Sequence, residues 1–322
     1  MDYENGRRNF KLKAKDDPIR KHIQESLDRA IAKGLKVPGI NPMENRIAFV
    51  EQMVESVRRV QFIQAIRQKP TSPNRSNPAS SYFDPIRAAI FHQLNGNIEE
   101  AAWLVFLATH FGKALRSGWL LTRSVYGALD TGLTWNWHRV SFNPEAFSNW
   151  LAENQETLTS NGRRFGNHRK YESLNPASKD WTGEIIESYV NWILSYGSHQ
   201  RLFDEALQKN NNDPRAAFRY LYNSMSAVRR FGRTAKFDYL TMIGKARISD
   251  IIADAAYLSE ATGPLKGARL LFGGTTTARI SAATLEIFLR LIDQELNVGM
   301  QVLEDSLCNW QKSPNSFKKF RG

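Results

Sequence analysis

Asn41-Pro42-Met43-Glu44-Asn45-Arg46-Ile47-Ala48-Phe49-Val50-Glu51-Gln52-Met53-Val54-Glu55-Ser56-Val57-Arg58-Arg59 is the stretch that decides the fold. An asparagine side chain accepts the orphan amides at a helix start, and proline in the next position has no N–H to lose. Behind this opening Ile47, Val50, Val54 and Val57 recur at three- and four-residue steps, with Glu51, Glu55, Arg58 and Arg59 between them. That is the spacing of one apolar face of a helix. The opening recurs at Asp17-Pro18, Asp84-Pro85, Asn143-Pro144 and Asp213-Pro214, and the period returns around 202–207, in 218–228 and in 285–296. Alternating apolar and polar runs are scarce, so the expected fold class is all-α, a compact multi-helix domain.

Composition is consistent with a folded chain. Of 322 residues, 42% are hydrophobic and 11% aromatic, which excludes global disorder. The apolar run Ala101-Ala102-Trp103-Leu104-Val105-Phe106-Leu107-Ala108 is far shorter than the roughly 20 residues that span a bilayer. Met1-Asp2-Tyr3-Glu4 opens no secretory signal, so a soluble, cytoplasmic protein with no membrane partner is expected. With 44 Lys+Arg against 32 Asp+Glu the net charge is +12, a balance suited to a polyanion such as DNA.

Several chemistries lack their residues. The single cysteine, Cys308, allows no internal disulfide and no Cys-rich metal site, and it is expected to be an inert buried thiol. No two of the six histidines have helical ligand spacing, so no metal is expected. No Gly-x-Gly, no Gly-x-x-x-x-Gly-Lys and no Gly-x-Ser-x-Gly occurs, which removes the dinucleotide, Walker-type and nucleophile-elbow signatures. No cofactor is expected. Gly273-Gly274-Thr275-Thr276-Thr277 reads as a loop leading into a helix before it reads as a phosphate cradle.

The chain is expected to divide into a basic arm and first helix over 1–40 and a single α-helical catalytic domain over 41–322. The arm carries Arg7, Arg8, Lys11, Lys13 and Lys15, and a basic tail carries Lys312, Lys318, Lys319 and Arg321. Irregular loops are expected near 69–83, rich in Pro, Ser and Asn, and near 160–183.

Three clusters carry candidate chemistry. In the 162–172 loop, Arg163, Arg164, Arg169 and Lys170 stand with His168, Phe165, Tyr171 and Glu172, a mixture that neutralises phosphate, stacks bases and transfers protons. The bland alternative pairs Glu172 with Arg169 or Lys170. In the second cluster, Arg229, Arg230, Arg233 and Lys236 surround a turn where one helix is expected to end near Gly232 and the next to start at once. The turn has something of a helix-hairpin-helix, without its Gly-x-Gly. Asp238 follows on an apolar stretch with Phe237, Tyr239 and Leu240, as a partner of Arg233 or as a catalytic acid. In the third cluster, Asp305, Asn309, Trp310, Gln311 and Lys312 lie on the last helix, where Asn and Gln can read a base edge and Trp can stack, although a plain core-and-surface helix accounts for the same pattern. His110 reads as a satisfied core or capping residue, and Trp135 and Trp137 as core.

The strings Trp103-Leu104-Val105-Phe106-Leu107-Ala108-Thr109-His110-Phe111-Gly112-Lys113, Phe165-Gly166-Asn167-His168-Arg169-Lys170-Tyr171-Glu172, Phe231-Gly232-Arg233-Thr234-Ala235-Lys236-Phe237-Asp238-Tyr239-Leu240, Thr262-Gly263-Pro264-Leu265-Lys266-Gly267-Ala268-Arg269 and Leu307-Cys308-Asn309-Trp310-Gln311-Lys312-Ser313 resemble the alpha-glutamyl/putrescinyl thymine pyrophosphorylase family. The resemblance runs from about Asn45 to the C-terminus. It implies action on a 5-substituted pyrimidine in DNA, and two chemistries follow from the relatives it brings in. The first expectation is a DNA glycosylase that flips and excises bulky modified pyrimidines, such as glucosylated hydroxymethylcytosine, from phage DNA in anti-phage defence. Asp238, then Glu172 and Asp305, would stabilise the oxocarbenium-like sugar, and His168 would serve the leaving base. Arg169, Lys170, Arg230, Arg233, Lys236, Arg269 and Lys312 would bind DNA, while Tyr171, Tyr239, Asn309, Trp310 and Gln311 would hold the base. The alternative is a transferase that displaces pyrophosphate from a phosphorylated 5-hydroxymethyl pyrimidine with an amine. A non-enzymatic sensor of modified DNA is the third reading.

Overall fold

The computed structural model describes residues 14–319, and three of the five Asx-Pro openings, Asp84-Pro85, Asn143-Pro144 and Asp213-Pro214, cap helices, whereas Asn41 ends the 3-10 turn Pro38–Ile40 and the next helix starts at Met43. Among these residues there are sixteen α-helices and no β-strand: α1 (Asp17–Ala32), α2 (Met43–Arg67), α3 (Pro73–Ser76), α4 (Pro85–Leu94), α5 (Ile98–Phe111), α6 (Leu120–Tyr126), α7 (Trp137–Phe142), α8 (Pro144–Glu153), α9 (Gln155–Thr159), α10 (Thr182–Leu194), α11 (His199–Gln208), α12 (Pro214–Ser224), α13 (Arg233–Lys245), α14 (Gly263–Gly273), α15 (Ala282–Leu296) and α16 (Met300–Trp310). The fold is all-α. Asp84, Asn143 and Asp213 each accept backbone N–H bonds at the starts of α4, α8 and α12. Asp17 departs from this pattern: it lies inside α1, Asp16 takes the cap position, and the Asp17 carboxylate pairs with Arg20. No helix among the described residues is long and apolar enough to cross a membrane.

The chain divides into two compact units, residues 14–62 with 253–319, and residues 63–252. In the first, α14 lies against α16 at backbone distance because Gly263 and Gly267, one turn apart, face it. A Cβ on Gly267 would stand 2.3 Å from the Leu307 carbonyl oxygen. The glycines of Gly263-Pro264-Leu265-Lys266-Gly267 are therefore packing residues. Gly274 ends α14 in the left-handed conformation at φ +78°, its N–H on the Leu270 carbonyl, so the Gly-Gly-Thr stretch is first a helix stop. Trp310 is fully buried against Phe49, centroids 4.8 Å apart.

Glu51 does not lie on an outer face of α2. It is buried with Arg20, whose guanidinium forks onto it, Nη2 to Oε2 at 3.2 Å. The helical period locates the apolar face but does not register that a neighbouring helix brings a guanidinium to the opposite one.

In the second unit, α4, α11 and α13 pack on α5. From Glu100 to Phe111 every α5 residue but Thr109 is buried. The expected loop near 69–83 contains the single-turn α3, and Asp84 N–H bonds Arg75 O at 3.0 Å. The helix expected to run to Gly232 ends at Ser224; a 3-10 turn, Met225–Ala227, and five further residues separate it from α13. The apolar residues Met225 and Val228 are buried from that irregular segment, which is why the sequence period outlasts the helix. The basic arm residues Arg7, Arg8, Lys11 and Lys13, and Arg321 of the tail, lie outside the described residues.

Removing one partner of a buried ion pair leaves the other charge uncompensated. Glu51→Ala is expected to cost about 3–5 kcal/mol in denaturant unfolding, whereas the paired change Arg20→Met with Glu51→Leu recovers most of it.

Candidate active site

The site grows from the C-terminal end of α5. The last carbonyls of a helix have no partner inside it, and a buried helix cannot leave them to water. The 162–172 loop answers them: Gly166 N–H donates to Phe111 O at 2.7 Å, and Arg169 Nε donates to Thr109 O at 2.8 Å. A guanidinium is also the favoured charge at that end of the dipole. The two Phe-Gly steps of the sequence meet here. Gly112 takes φ +68°, and a Cβ on Gly166 would lie 2.8 Å from the Gly112 carbonyl carbon and Lys113 N. Phe111 and Phe165 stack beside them, centroids 5.6 Å apart. Arg163 holds the loop's start by donating to Ser124 Oγ at 2.8 Å and Thr157 O at 3.2 Å.

Arg169 is thus buried, its guanidinium over the Phe231 ring, with Nη2 aimed toward Asp238 Oδ2 at 3.6 Å and making no hydrogen bond. Asp238, on α13, keeps 52% of its side-chain surface open, but protein packed on its other sides desolvates it and pushes its pKa up. Arg169, His168, Lys245 and Arg233 pull the other way. Glu172 is nearly enclosed at 12% exposure, 3.4 Å from Arg230 Nε, and burial raises its pKa against Arg230 and Arg169. Its Oε2 has no hydrogen bond. Arg230, at φ +52° in the left-handed region, donates from Nη2 to Tyr171 O at 3.4 Å. The structure brings Glu172, Arg169, Arg230 and Asp238, read from the sequence as two separate clusters, into one neighbourhood, with Glu172 3.4 Å from Arg230 and Asp238 3.6 Å from Arg169. His168 is exposed on the Asn167–Arg169 3-10 turn, and Tyr171 is 75% exposed with the Lys170 ammonium 5.0 Å from its centroid. On the first turn of α13, Arg233 lies over Phe237 at 4.7 Å, and Lys236 donates to Ser226 Oγ at 2.9 Å beneath Tyr222.

Tyr239 is the residue on the other side of α13 and is fully buried. Its hydroxyl is 3.0 Å from that of Tyr189, which is 2.7 Å from His199 Nε2, and His199 Nδ1 is 2.7 Å from Glu99 Oε2. Burial lowers the His199 pKa, so the ring is neutral, with Nδ1–H donating to Glu99 and Nε2 accepting from Tyr189. Glu99 also accepts the N–H groups of His199 and Gln200 at the start of α11; desolvation pushes its pKa up, but the His199 side chain first and then these backbone bonds hold it down to about 2. Sequence reasoning passed over this chain. Its signal was present: two carboxylates, Glu99 and Glu100, opening the most apolar helix. Glu100 accepts from Tyr126 OH at 2.7 Å and Trp137 N–H at 2.8 Å.

His110 is enclosed near the same end of α5, with Nε2 3.2 Å from Thr182 Oγ1. Burial, then Arg169 and Arg230, lower its pKa to about 3. Trp135 and Trp137 are core residues, and the Trp103 indole donates to Trp135 O at 2.8 Å.

The third cluster belongs to the other unit. Asp305 pairs with Arg59 and accepts from Ser56. Asn309 donates to Asp305 Oδ1 at 3.0 Å, and Lys312 donates to Asn309 Oδ1 at 3.2 Å. Gln311 donates to Cys308 O at 3.3 Å, while the buried Trp310 donates to Pro314 O at 2.9 Å. Arg269, on α14, is half-buried, and its Nε has no hydrogen bond. Cys308 is half-buried rather than enclosed, packed against Gly263. No group of three or more His, Cys, Asp or Glu among the described residues is arranged to hold a metal ion.

The all-helical scaffold thus gathers two desolvated carboxylates, Asp238 and Glu172, with the guanidinium groups of Arg169 and Arg230. Residues 44–322 match the sequence profile of alpha-glutamyl/putrescinyl thymine pyrophosphorylase clade 3, and the chain belongs to that family. None of the curated proteins and none of the solved structures compared with the chain matches it. The family is one of enzymes acting on modified DNA, so an enzyme with DNA as its partner is the class this chain falls in.

Two outcomes follow from this geometry. Gly166→Ala places a methyl group against unyielding backbone, and is expected to lower stability by about 1–3 kcal/mol, seen as a lower denaturant midpoint at unchanged slope. His110, neutral in the fold and protonated more readily when unfolded, supports stability fully above about pH 6.5 and progressively less as pH falls toward about 3. His110→Gln is therefore expected to flatten the acid side of the stability profile in that window, by up to a few kcal/mol relative to the parent chain.

Proposed function

We propose that the protein joins an amine to an activated 5-hydroxymethyl pyrimidine in DNA and displaces pyrophosphate, with the charge cluster around Asp238 as its site. The observation that carries this is the half-open Asp238 carboxylate, its pKa raised, held against a buried guanidinium that has no hydrogen-bond partner of its own at Nη2. A carboxylate so placed is a proton acceptor, and cations around it suit a leaving diphosphate. The family's description supports the pyrophosphate step over base excision, and it points to glutamate or putrescine as the amine class.

In the proposed step Asp238 takes a proton from the incoming ammonium. The freed nitrogen lone pair attacks the methylene carbon on C5, a C–N bond forms, and the C–O bond to the diphosphate breaks with its electron pair leaving on pyrophosphate. Arg169 and Arg230, with Arg233, Lys236 and Lys170 behind them, balance the charge that collects on that oxygen. Glu172 positions Arg230. His168, exposed on the loop, donates to the leaving phosphate, and the Tyr171 ring offers a face for the base. The side chains of Asp305, Asn309, Gln311 and Lys312 bond within their own unit and have no part in this step.

The test is an oligonucleotide bearing a pyrophosphorylated 5-hydroxymethyluracil, incubated with putrescine or glutamate and followed by mass spectrometry and pyrophosphate release. The adduct with stoichiometric pyrophosphate is expected. Asp238→Asn is expected to lose about 10²–10⁴-fold in rate with DNA binding retained. Free base with alkali-labile abasic sites would replace the transfer by base excision at the same carboxylate. Selective binding with no covalent change would leave a sensor.

A further inference from the structure

Immediately after α5 the chain makes a closed turn that the proposed step does not use. Ala114 N–H donates to Gly118 O and Gly118 N–H donates to Ala114 O, both at 2.9 Å, with Gly118 at φ +58°. These reciprocal bonds pin a three-residue tip, Leu115-Arg116-Ser117. Ala114 is buried beneath the tip, and the Lys113 ammonium lies 5.8 Å from the Trp119 ring at its base. Leu115 is 77% exposed on this tip, between the exposed cations Lys113 and Arg116.

A single exposed leucine is ordinary; its mounting here is not. A tip closed by two backbone bonds has little freedom to fold its side chain back onto protein. Its root is the site itself: Gly112, three residues before Leu115, is where the 162–172 loop touches α5, and the Arg169 Cγ lies 3.4 Å from the place a Gly112 Cβ would occupy. Three residues reach at most about 11 Å. The apolar tip therefore stands within about that distance of Gly112, which itself touches Gly166 and the Arg169 side chain.

We infer that Leu115 is a wedge that enters duplex DNA beside the target pyrimidine, fills the gap left in the stack as the base turns toward the Asp238 cluster, and is guided there by Lys113 and Arg116 on the flanking phosphates. Apolar side chains inserted between base steps unstack them at a cost of a few kcal/mol per step, offset by the contacts that follow. A base must leave the stack before a group inside a recess can reach its C5 substituent. The flanking cations fix the occupant as a polyanion, and the rigid apolar point between them suits paired bases rather than a protein surface. The inference rests on the modified-base reading of the Asp238 cluster for its target, and supplies the substrate form: duplex rather than single-stranded DNA.

The first arm of the experiment needs no chemistry. A duplex carrying 2-aminopurine beside a 5-hydroxymethyluracil reports unstacking by a rise in fluorescence when protein binds. The parent protein is expected to produce the rise, Leu115→Ala to lose most of it, and Leu115→Met to keep it. The second arm compares turnover of the pyrophosphorylated base in duplex and single strand. Leu115→Ala is expected to slow the duplex by roughly ten- to hundredfold and leave the single strand at the parent rate. An unchanged fluorescence rise in Leu115→Ala, an equal loss on both DNA forms, or no rise with the parent protein overturns the wedge. A rise that depends on Leu115 without turnover of either substrate keeps the wedge and overturns the proposed reaction.

Discussion

A helix buried on every side has to find partners for its end groups in the chain around it, and α5 imposes that requirement on the larger unit. At its start Glu99 and Glu100 take up the amides and hydroxyls of neighbouring elements, Glu99 reaching the first turn of α11 and Glu100 the Tyr126 hydroxyl and the Trp137 amide. At its end Gly166 and Arg169 satisfy Phe111 O and Thr109 O. An unsatisfied backbone group in that interior costs about 1–3 kcal/mol, so the loop that meets the requirement cannot wander. The position of the candidate site is thus a consequence of helix capping.

Capping also explains the charge pattern around Asp238. Arg169 is drawn inward by a carbonyl through Nε, which leaves Nη2 buried and directed at Asp238 without a hydrogen bond. Desolvation lowers the guanidinium's pKa and raises those of Asp238 and Glu172, while attraction between Arg169 and each carboxylate works against both shifts. Such an arrangement costs stability, and in the proposed step an entering anion supplies what Arg169 lacks while an entering ammonium yields a proton to Asp238. The Tyr239–Tyr189–His199–Glu99 chain behind α13 is fully bonded, and it holds the helix that carries Asp238 in register.

The sequence made some of this legible. Asp84-Pro85, Asn143-Pro144 and Asp213-Pro214 marked real starts because a capping side chain and a donor-free proline act over two or three residues. The cationic loop 162–172 and the turn before Asp238 stood out because charge and glycine are local signals. Misreadings arose where burial comes from a distant element: Glu51, which its own helix would put outward, is enclosed by Arg20, and Val228 is buried from a segment that is no longer helical. The same limit applies to Tyr239, expected to hold the base, which is fully buried while its neighbour in sequence, Asp238, is half exposed.

By itself, then, the sequence determined that the chain is helical, basic and built from capped amphipathic segments, since each of these depends on residues within a turn or two of one another. It also determined family membership, through long strings that include Phe111-Gly112 and Phe165-Gly166. Only the tertiary structure decided that those two glycine steps lie against each other, that Arg169 reaches Asp238 across more than sixty residues of chain, and that Asp305 pairs with Arg59 instead. Those pairings depend on how enclosed helices satisfy their ends and their charges, and burial is a property of the packed whole that no local pattern of residues records.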